Sequence, residues 1–147
     1  MFVFQNIVRF CVSYPPRTGN TQHKTGRNPK TGRRFKYLDP LLLRWRDEVA
    51  ADVLRARVYF GAKPVGVVIR YFMPDEIRRD MDNAQKVLSD ALEKASAFFN
   101  DSQIKFRVEE HCGIDRENPR IEIDMAEATR VPGTFDYFRA MNVAAIS

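Results

Sequence analysis

Alternating apolar and polar residues, the pattern of a β-strand with one buried face, recur in four stretches of this chain. The predicted strands are Phe2 to Ser13, Val65 to Met73, Ile104 to Cys112 and Arg120 to Met125. In the last of them Glu122 and Asp124 alternate with apolar neighbours, so we expect these two carboxylates on the solvent side of a sheet. Pro15 and Pro16 end the first strand, because proline lacks the N–H that a ladder needs.

Two further stretches repeat apolar residues at spacings of three and four, which predicts amphipathic helices. Asp39 is a helix cap and Pro40 suits the first helical position, so the first helix starts there and extends to about Arg57. Its predicted core stripe is Leu41, Leu42, Trp45, Val49, Val53 and Leu54. The second helix starts at Asp82 or Asn83. Its stripe is Val87, Leu88, Ala91, Leu92 and Ala95.

The length and composition of the chain set the scale of the fold. With 147 residues, 44% of them hydrophobic, it can build one domain with a core but not comfortably two. We therefore expect a single α/β (α+β) domain over residues 1–147, with about four strands and two main helices. Residues 126–147 are expected to form a peripheral tail, with a short helix carrying Phe135, Phe138 and Met141 at three-residue steps.

Positive charge is concentrated near the N-terminus. The formal net charge is +5, and residues 17–36 contain seven Lys or Arg, one His and no acid. Glycines and a proline interrupt this segment, which has few apolar residues, so it is predicted to be a long loop. Such a loop favours contact with a polyanion, and a solvated loop without a partner is the alternative. His23 within it is expected to be an ordinary surface donor.

Cys11 and Cys112 are the only cysteines, and each lies within a predicted strand. Their spacing matches neither a disulfide framework nor a Cys-rich zinc site. Two buried thiols in a reducing cytoplasm are therefore expected. The apolar segment Met1 to Val12 is broken by polar residues and lacks a basic start, so neither a signal peptide nor a membrane span is predicted.

Candidate chemistry is concentrated between Arg78 and Ile104, a segment that reads RRDMDNAQKVLSDALEKASAFFNDSQI. Pro74 excludes a helix at its entry, so Asp80 and Asp82 are expected in an extended segment with both carboxylates on one side. Adjacent carboxylates repel unless a cation lies between them, and Mg²⁺ takes oxygen ligands from Asp, water and phosphate. Acids placed beside arginines in a basic protein thus favour metal-assisted chemistry on phosphate.

Several motifs in this segment resemble the RusA-type Holliday-junction resolvases, small endodeoxyribonucleases of bacteria and phages. The shared pattern is Arg-Asp-x-Asp-Asn-x-x-Lys, then Asp-Ala-Leu within a helix, then Asp-Ser/Ala-Gln-Ile/Val. In this chain it consists of Arg79, Asp80, Asp82, Asn83 and Lys86, then Asp90, Ala91 and Leu92, then Asp101, Ser102, Gln103 and Ile104. Weaker likeness extends from about Ile7 to Met125 and includes Tyr14-Pro15-Pro16 and Asn20. Asn100 departs from the pattern by replacing the first residue of a frequent Asp-Asp pair.

The resemblance implies roles by position. Asp80, Asp82 and Asp101 correspond to metal-binding catalytic carboxylates, and Lys86 corresponds to an essential lysine. A Mg²⁺-dependent homodimer is implied, with Mn²⁺ as a substitute, that cuts four-way junctions during DNA recombination and repair in a bacterial or phage-infected cell. The predicted DNA contacts are Arg78, Arg79 and Asn83, together with Arg17, Lys24, Arg27, Lys30, Arg33 and Arg34 of the basic loop.

Alternatives remain for single residues and for the whole chain. Lys86 can form a helical ion pair with Asp82 or Asp90, and Asp90 is expected to pair with Lys86 or Lys94. A branched-DNA-binding protein of the same fold that has lost cleavage is the alternative function, although the three aspartates and the lysine are retained. A metal-binding or structural protein without nucleic acid is a third class, against which the acid-free basic loop argues.

Chain lengths bear on whether one chain can bring the three aspartates together. A helix from Asp82 to about Ala95 is about 20 Å long. The six steps from Ala95 to Asp101 reach at most about 20 Å when extended. We expect closure within one chain, with the helix ending by Ser96, where the family often has glycine, and residues 97–100 returning almost fully extended. A longer helix would leave the third ligand to come from the other subunit.

Overall fold

The computed structural model describes residues 1–16, 22–76 and 81–131, with the backbone alone at residues 81 and 82. Its strands, numbered along the chain, are β1 (Phe2–Ser13), β2 (His23–Arg27), β3 (Arg34–Leu38), β4 (Val65–Met73), β5 (Ile104–Ile114) and β6 (Arg120–Arg130). Its α-helices are α1 (Pro40–Arg55) and α2 (Met81–Lys94). A four-stranded sheet has the order β1-β6-β4-β5, and β2 and β3 form a separate hairpin.

The four-stranded sheet is mixed. β6 pairs antiparallel with β1 and β4, whereas β5 runs parallel to β4. A parallel pair requires a crossover connection, and α2 lies within the one that joins β4 to β5. The prediction of one α+β domain with a four-stranded mixed sheet and two main helices is confirmed.

One face of the sheet and the two helices enclose the core. Strands β4 and β6 contribute to the core cluster Val65, Val67, Ile69, Tyr71, Met73, Ile121, Ile123 and Met125. Helix α2 contributes Ala84, Val87, Leu88, Ala91 and Leu92. Glu122 and Asp124 lie on the opposite face of the sheet, as predicted, where Asp124 contacts Arg9 and Arg70.

Helix α1 begins as predicted, with the Asp39 side chain accepting a hydrogen bond from the Leu41 N–H at 2.8 Å. Its buried stripe is Leu42, Trp45, Val49 and Val53. The prediction that Leu41 and Leu54 also face the core is wrong, because each is next in sequence to a stripe residue and so about 100° around the helix from it. Leu54 is 78% exposed. The helix ends at Arg55, two residues before the predicted end, since Arg57 has a φ of +54°.

The predicted basic loop is a hairpin over much of its length. β2 and β3 pair antiparallel from His23↔Leu38 to Arg27↔Arg34. The Asn28 side chain accepts from the N–H groups of Lys30 and Thr31 in the turn. The loop prediction is wrong because backbone pairing and turn chemistry need no apolar core. Residues 17–21 lie outside the described part of the chain.

The end of α2 is the predicted one. Ser96 has a φ of +64°, which is the left-handed conformation that glycine usually supplies after a helix. Its N–H donates to the Glu93 carbonyl, and the Ala97 N–H donates to the Leu92 carbonyl. This pair of hydrogen bonds is a Schellman motif, so Ser96 takes the role of the family's glycine.

Two further predictions about the periphery need correction. β6 continues to Arg130, and Ala126 and Ala128 are buried within it, so the tail does not begin at residue 126. The predicted helix with Phe135, Phe138 and Met141 lies outside the described residues. No helix within residues 1–16, 22–76 and 81–131 is long and apolar enough to cross a membrane.

Both cysteines are free, but the prediction that their thiols are buried is wrong. Cys11 is exposed and Cys112 is partly exposed. Cys11 pairs with Glu122 on the open face of the sheet, whereas its neighbour Val12 pairs with Ile121 on the core face. The alternation of a strand therefore places the Cys11 thiol outside.

Candidate active site and nucleic-acid interface

Helix α2 carries two of the four predicted catalytic residues, Asp82 and Lys86. The helix begins at Met81, so Asp82 is helical rather than part of an extended entry, and that expectation is corrected. Good helix formers from Ala84 onward extend the helix back over the acidic segment. Asp80 and the side chain of Asp82 lie outside the described residues. Lys86 follows Asp82 by one turn and is exposed, as is Asn83.

Lys86 lines a groove of about 970 Å³ between the hairpin and the two helices. Among the described residues, the cationic lining consists of Lys36, Arg46, Lys86 and Lys94, and Asp90 is the one acid. Lys86, Asp90 and Lys94 are spaced by four residues, so they follow one face of α2 along the groove. A groove lined by positive charge suits a polyanionic backbone.

Asp90 pairs with Arg46 of α1 at 3.9 Å. The prediction that Asp90 pairs with Lys86 or Lys94 is wrong. The reason is tertiary: α1 packs beside α2 and brings a guanidinium to the helix face that sequence spacing assigns to the lysines. Lys86 and Lys94 have no ion-pair partner in the part of the chain that the structure describes. Their ammonium groups are thus available to a ligand in the groove. Arg46 was not predicted as a functional residue. Its position in the sequence, seven residues after Asp39, does not indicate that it lines the groove.

The basic residues of the hairpin form two groups: some contact other groups of the chain, and others are exposed without an ion pair among the described residues. Lys24 lies 3.4 Å from the buried Asp39 carboxylate, and the Arg27 Nε donates to the Gly32 carbonyl at 3.0 Å. These two predicted DNA contacts therefore also support the hairpin. The side chains of Lys30, Arg33 and Arg34 are exposed and make no ion pair among the described residues.

An exposed aromatic pair accompanies these charges. Phe35 and Tyr37 are 51% and 40% exposed, and their ring centroids are 5.9 Å apart. Phe35 covers Gly26, where an added Cβ would meet the ring at 2.6 Å. The Phe35 ring was not predicted as a candidate contact, and its position between basic residues was the available signal. The predicted contacts Arg17, Arg78 and Arg79 lie outside the described residues.

Asp101 opens a single turn of 3₁₀ helix, Asp101–Gln103. The side chain of Asn100 caps this turn by accepting from the Ser102 N–H at 2.8 Å. Asn and Asp are equally good caps, so the departure at Asn100 keeps the local structure. The Asp101 carboxylate is exposed and makes no hydrogen bond or ion pair within the described residues. It is therefore available as a hard oxygen ligand for a cation.

The position of Asp101 is fixed by Gln103. The Gln103 Nε2 donates to the carbonyls of Gly61 at 2.7 Å and Lys63 at 2.9 Å, just before β4. The first residues of β4 and β5 also pair with each other. The Cα atoms of Asp101 and Gln103 are two residues apart and so within about 7 Å of each other. Asp101 is therefore held near the amino end of β4.

Asp82 lies at the opposite end of the crossover. Helix α2 begins beyond the carboxyl end of β4, and its axis from Asp82 to Lys94 covers about 18 Å. The fold contradicts the expectation that one chain brings Asp101 to Asp82. The reason is that the segment after α2 is anchored at the start of β4 instead of returning along the helix.

Comparison with known proteins identifies relatives of this chain. The family model described as "Endodeoxyribonuclease RusA" matches residues 14–126. The chain is 44% identical over 61 residues to the crossover junction endodeoxyribonuclease RusA of Escherichia coli K12, and 43% identical over 61 residues to that of Enterobacteria phage 82. Each alignment covers 41% of this chain and 51% of the relative, so the chain spans about half the length of the relatives it matches.

Proposed function

The chain belongs to the RusA family of endodeoxyribonucleases, and from this premise we propose that it is a Mg²⁺-dependent endonuclease that resolves four-way DNA junctions. The relatives are named for crossover-junction cleavage. We extend that activity to this chain because it retains Asp80, Asp82, Asp101 and Lys86. Its place would be DNA recombination and repair in the cytoplasm of a bacterial or phage-infected cell.

The observation that carries the proposal is the position of Lys86 in the basic groove. One turn of helix separates it from Asp82, so a phosphate held by the groove lies next to the acidic end of α2. The exposed turn of the hairpin extends the positive surface beyond the groove. Phosphate contacts from such residues position the DNA without reading its sequence, which suits an enzyme that recognises branch structure.

The carboxylates of Asp80, Asp82 and Asp101 would hold the metal ion. When bound there, Mg²⁺ would supply a water of lowered pKa and a positive charge beside the phosphate oxygens. Lys86 supplies a compact positive charge that stabilises the developing negative charge on the phosphate undergoing attack. Lys94 and Arg46 hold the adjoining backbone in the groove, which orients the scissile phosphate.

Separation of Asp101 from Asp82 supports a shared site in a homodimer. In this arrangement each site takes Asp80 and Asp82 from one subunit and Asp101 from the other. A four-way junction is two-fold symmetric and has two strands to cut, so a dimer with two identical sites matches its symmetry. Sedimentation velocity at micromolar concentration should report a dimer, and a monomer with full paired cutting would contradict the arrangement.

A synthetic four-way junction with a fixed branch point tests the function. A gel-shift assay in EDTA should show binding to the junction. Addition of Mg²⁺ should then produce nicks at symmetric positions in two strands of the junction. A linear duplex of the same sequence is the matched control and should remain uncut. Binding without cleavage in either Mg²⁺ or Mn²⁺ would support the alternative, a non-cleaving branched-DNA-binding protein of the same fold.

A further inference from the structure

The hairpin of β2 and β3 has two faces of different chemistry. Residues directly opposite each other in an antiparallel pair share a face, and the next residue along each strand lies on the other face. Four residues of one face line the basic groove: His23, Thr25, Lys36 and Leu38. On the other face, Phe35 lies opposite Gly26, and Tyr37 follows two residues further along β3. This aromatic face is therefore directed away from the groove.

The Phe35 ring lies flat on the hairpin. An added Cβ at Gly26 would meet the ring atoms Cζ, Cε2 and Cε1 at 2.6, 2.9 and 3.1 Å. Three such similar distances mean that the ring turns its face, and not its edge, towards Gly26. Its other face is directed to solvent, where the exposed Tyr37 ring lies beside it with a centroid distance of 5.9 Å. Two neighbouring π surfaces are thus presented outward.

Backbone hydrogen bonds hold the hairpin at both ends. In the turn, the Asn28 N–H donates to the Arg33 carbonyl and the Gly32 N–H donates to the Asn28 carbonyl, each at 2.8 Å. At the base, the Asp39 N–H donates to the Gln22 carbonyl at 2.8 Å. A surface that is already ordered loses little conformational freedom when it binds a ligand. The two rings are therefore positioned before any ligand arrives.

Charge favours a nucleic-acid strand as the ligand of the aromatic face. The Lys and Arg residues of the hairpin are Lys24, Arg27, Lys30, Arg33, Arg34 and Lys36, and no Asp or Glu occurs between residues 23 and 38. Aromatic side chains placed among cations bind unpaired strands, because the bases stack on the rings and the phosphates meet the positive charges. A protein partner would have to supply acids for every one of these cations.

We propose that Phe35 and Tyr37 stack on unpaired bases at the branch point of a DNA junction, while the groove side of the same hairpin contacts phosphates. In a duplex both faces of each base are covered by its neighbours, and uncovering them costs free energy. At a branch point the stack is interrupted, so base faces are available there. The inference rests on the proposed function, because it names the feature by which the protein distinguishes a junction from a linear duplex.

Leucine substitution tests the stacking and keeps an apolar cover on Gly26. The double variant Phe35→Leu, Tyr37→Leu removes both π faces and no charge. In EDTA its affinity for a four-way junction should fall at least about fivefold, the lower end for one base stacked on a ring. Its affinity for a linear duplex should change less than about twofold, and both salt slopes should be retained because the phosphate contacts remain. An equal loss on both substrates, or an unchanged affinity for the junction, would overturn the inference.

The matched control exchanges the two rings. Phe35→Tyr, Tyr37→Phe keeps both π faces and the same composition, so its affinity for the junction should stay within about twofold of that of the parent protein. A loss in this control as large as in the leucine variant would show that the exact packing of the hairpin matters and that stacking does not, which contradicts the inference.

Tryptophan fluorescence measures the stacking without reference to affinity. Trp45 is the one tryptophan of the chain and is 3% exposed, so a ligand does not reach it. In the Phe35→Trp variant, a base stacked on the new indole should quench its emission. A saturating four-way junction in EDTA should quench at least twice as strongly as a saturating linear duplex of the same sequence. Equal quenching by both, or none by the junction, would refute the stacking.

Two measurements separate this inference from its rivals. Selective binding of the junction by a parent protein that cuts in neither Mg²⁺ nor Mn²⁺ would refute the proposed function and leave the inference standing. Cleavage by the parent protein, together with full junction affinity in the leucine variant, would do the reverse. Sedimentation without DNA should give the same oligomeric state for the leucine variant and the parent. A dimer lost in the variant alone would assign the rings to a contact between subunits and overturn the inference.

Discussion

Removal of charge from the hairpin turn probes the predicted DNA interface most quantitatively. Lys30, Arg33 and Arg34 are exposed and unpaired among the described residues, so their replacement by glutamine leaves the hairpin bonds intact. Arg27 is kept, because its Nε donates to the Gly32 carbonyl and its loss would disturb the turn. The triple variant therefore changes charge with little change in folding free energy.

The expected magnitude follows from counterion release. Each phosphate contact contributes about 0.9 to the slope of log affinity against log salt, so three contacts contribute about 2.7. Between 50 and 200 mM salt the affinity of the triple variant should therefore fall about 40-fold less than that of the wild type. At low salt the variant should bind more weakly than the wild type.

Fluorescence anisotropy with a labelled four-way junction in EDTA measures both slopes without cleavage. The matched control is the triple variant Arg55→Gln, Arg57→Gln, Arg130→Gln, which removes the same charge from exposed positions outside the hairpin and the groove lining. An unchanged slope in the hairpin variant would mean that the turn does not contact DNA. An equal loss in the control would mean that net charge alone governs binding.

Three further outcomes are expected. Asp80→Asn or Asp82→Asn should abolish cleavage but retain junction binding, because the carboxylates hold the metal and the basic residues hold the phosphates; near-normal cleavage rates in both would remove the proposed site. Ser96→Gly should stabilise the protein by about 0.5–1 kcal/mol in urea unfolding, because glycine adopts the positive φ of that position without strain; destabilisation would contradict the assigned cap. The hydrogen bond from the Asn118 N–H is the main cause that lowers the pKa of Asp115, so its contribution to stability is present at neutral pH and is lost as the pH falls through the lowered pKa. Asp115→Asn should therefore reduce the loss of unfolding free energy on acidification, and an unaltered acid limb would refute the link.

The regular elements were predictable because their patterns are local. β4 has the predicted ends, and the cap at Asp39 and the stop at Ser96 are both encoded by single residues. Strand alternation also gave the solvent side of Glu122. Composition does not predict the hairpin, because basic residues pair in a two-stranded ladder as readily as others do and the turn depends on the side chain of Asn28.

The sequence predicts which residues belong to the candidate site but not where they lie relative to one another. Motif spacing selected Lys86, which the structure places in the basic groove. The partner of Asp90 depends on how α1 packs against α2, which no spacing reports. The location of Asp101 depends on the anchor that Gln103 makes before β4, a contact between residues about 40 positions apart. Length arithmetic allowed a return along the helix, and tertiary hydrogen bonds excluded it.

Mixed dimers test the central claim that paired subunits share a metal-dependent nuclease site. Asp80→Asn and Asp101→Asn proteins are each inactive alone in the proposed arrangement. After subunit exchange, a mixed dimer has two different sites. One combines the intact Asp80 of the Asp101→Asn chain with the intact Asp101 of the Asp80→Asn chain, and the other carries both substitutions. The account predicts that the mixture nicks one strand of a four-way junction in Mg²⁺, while each parent protein alone does not. A mixture as inactive as its parents, with exchange verified by two affinity tags, would contradict the account.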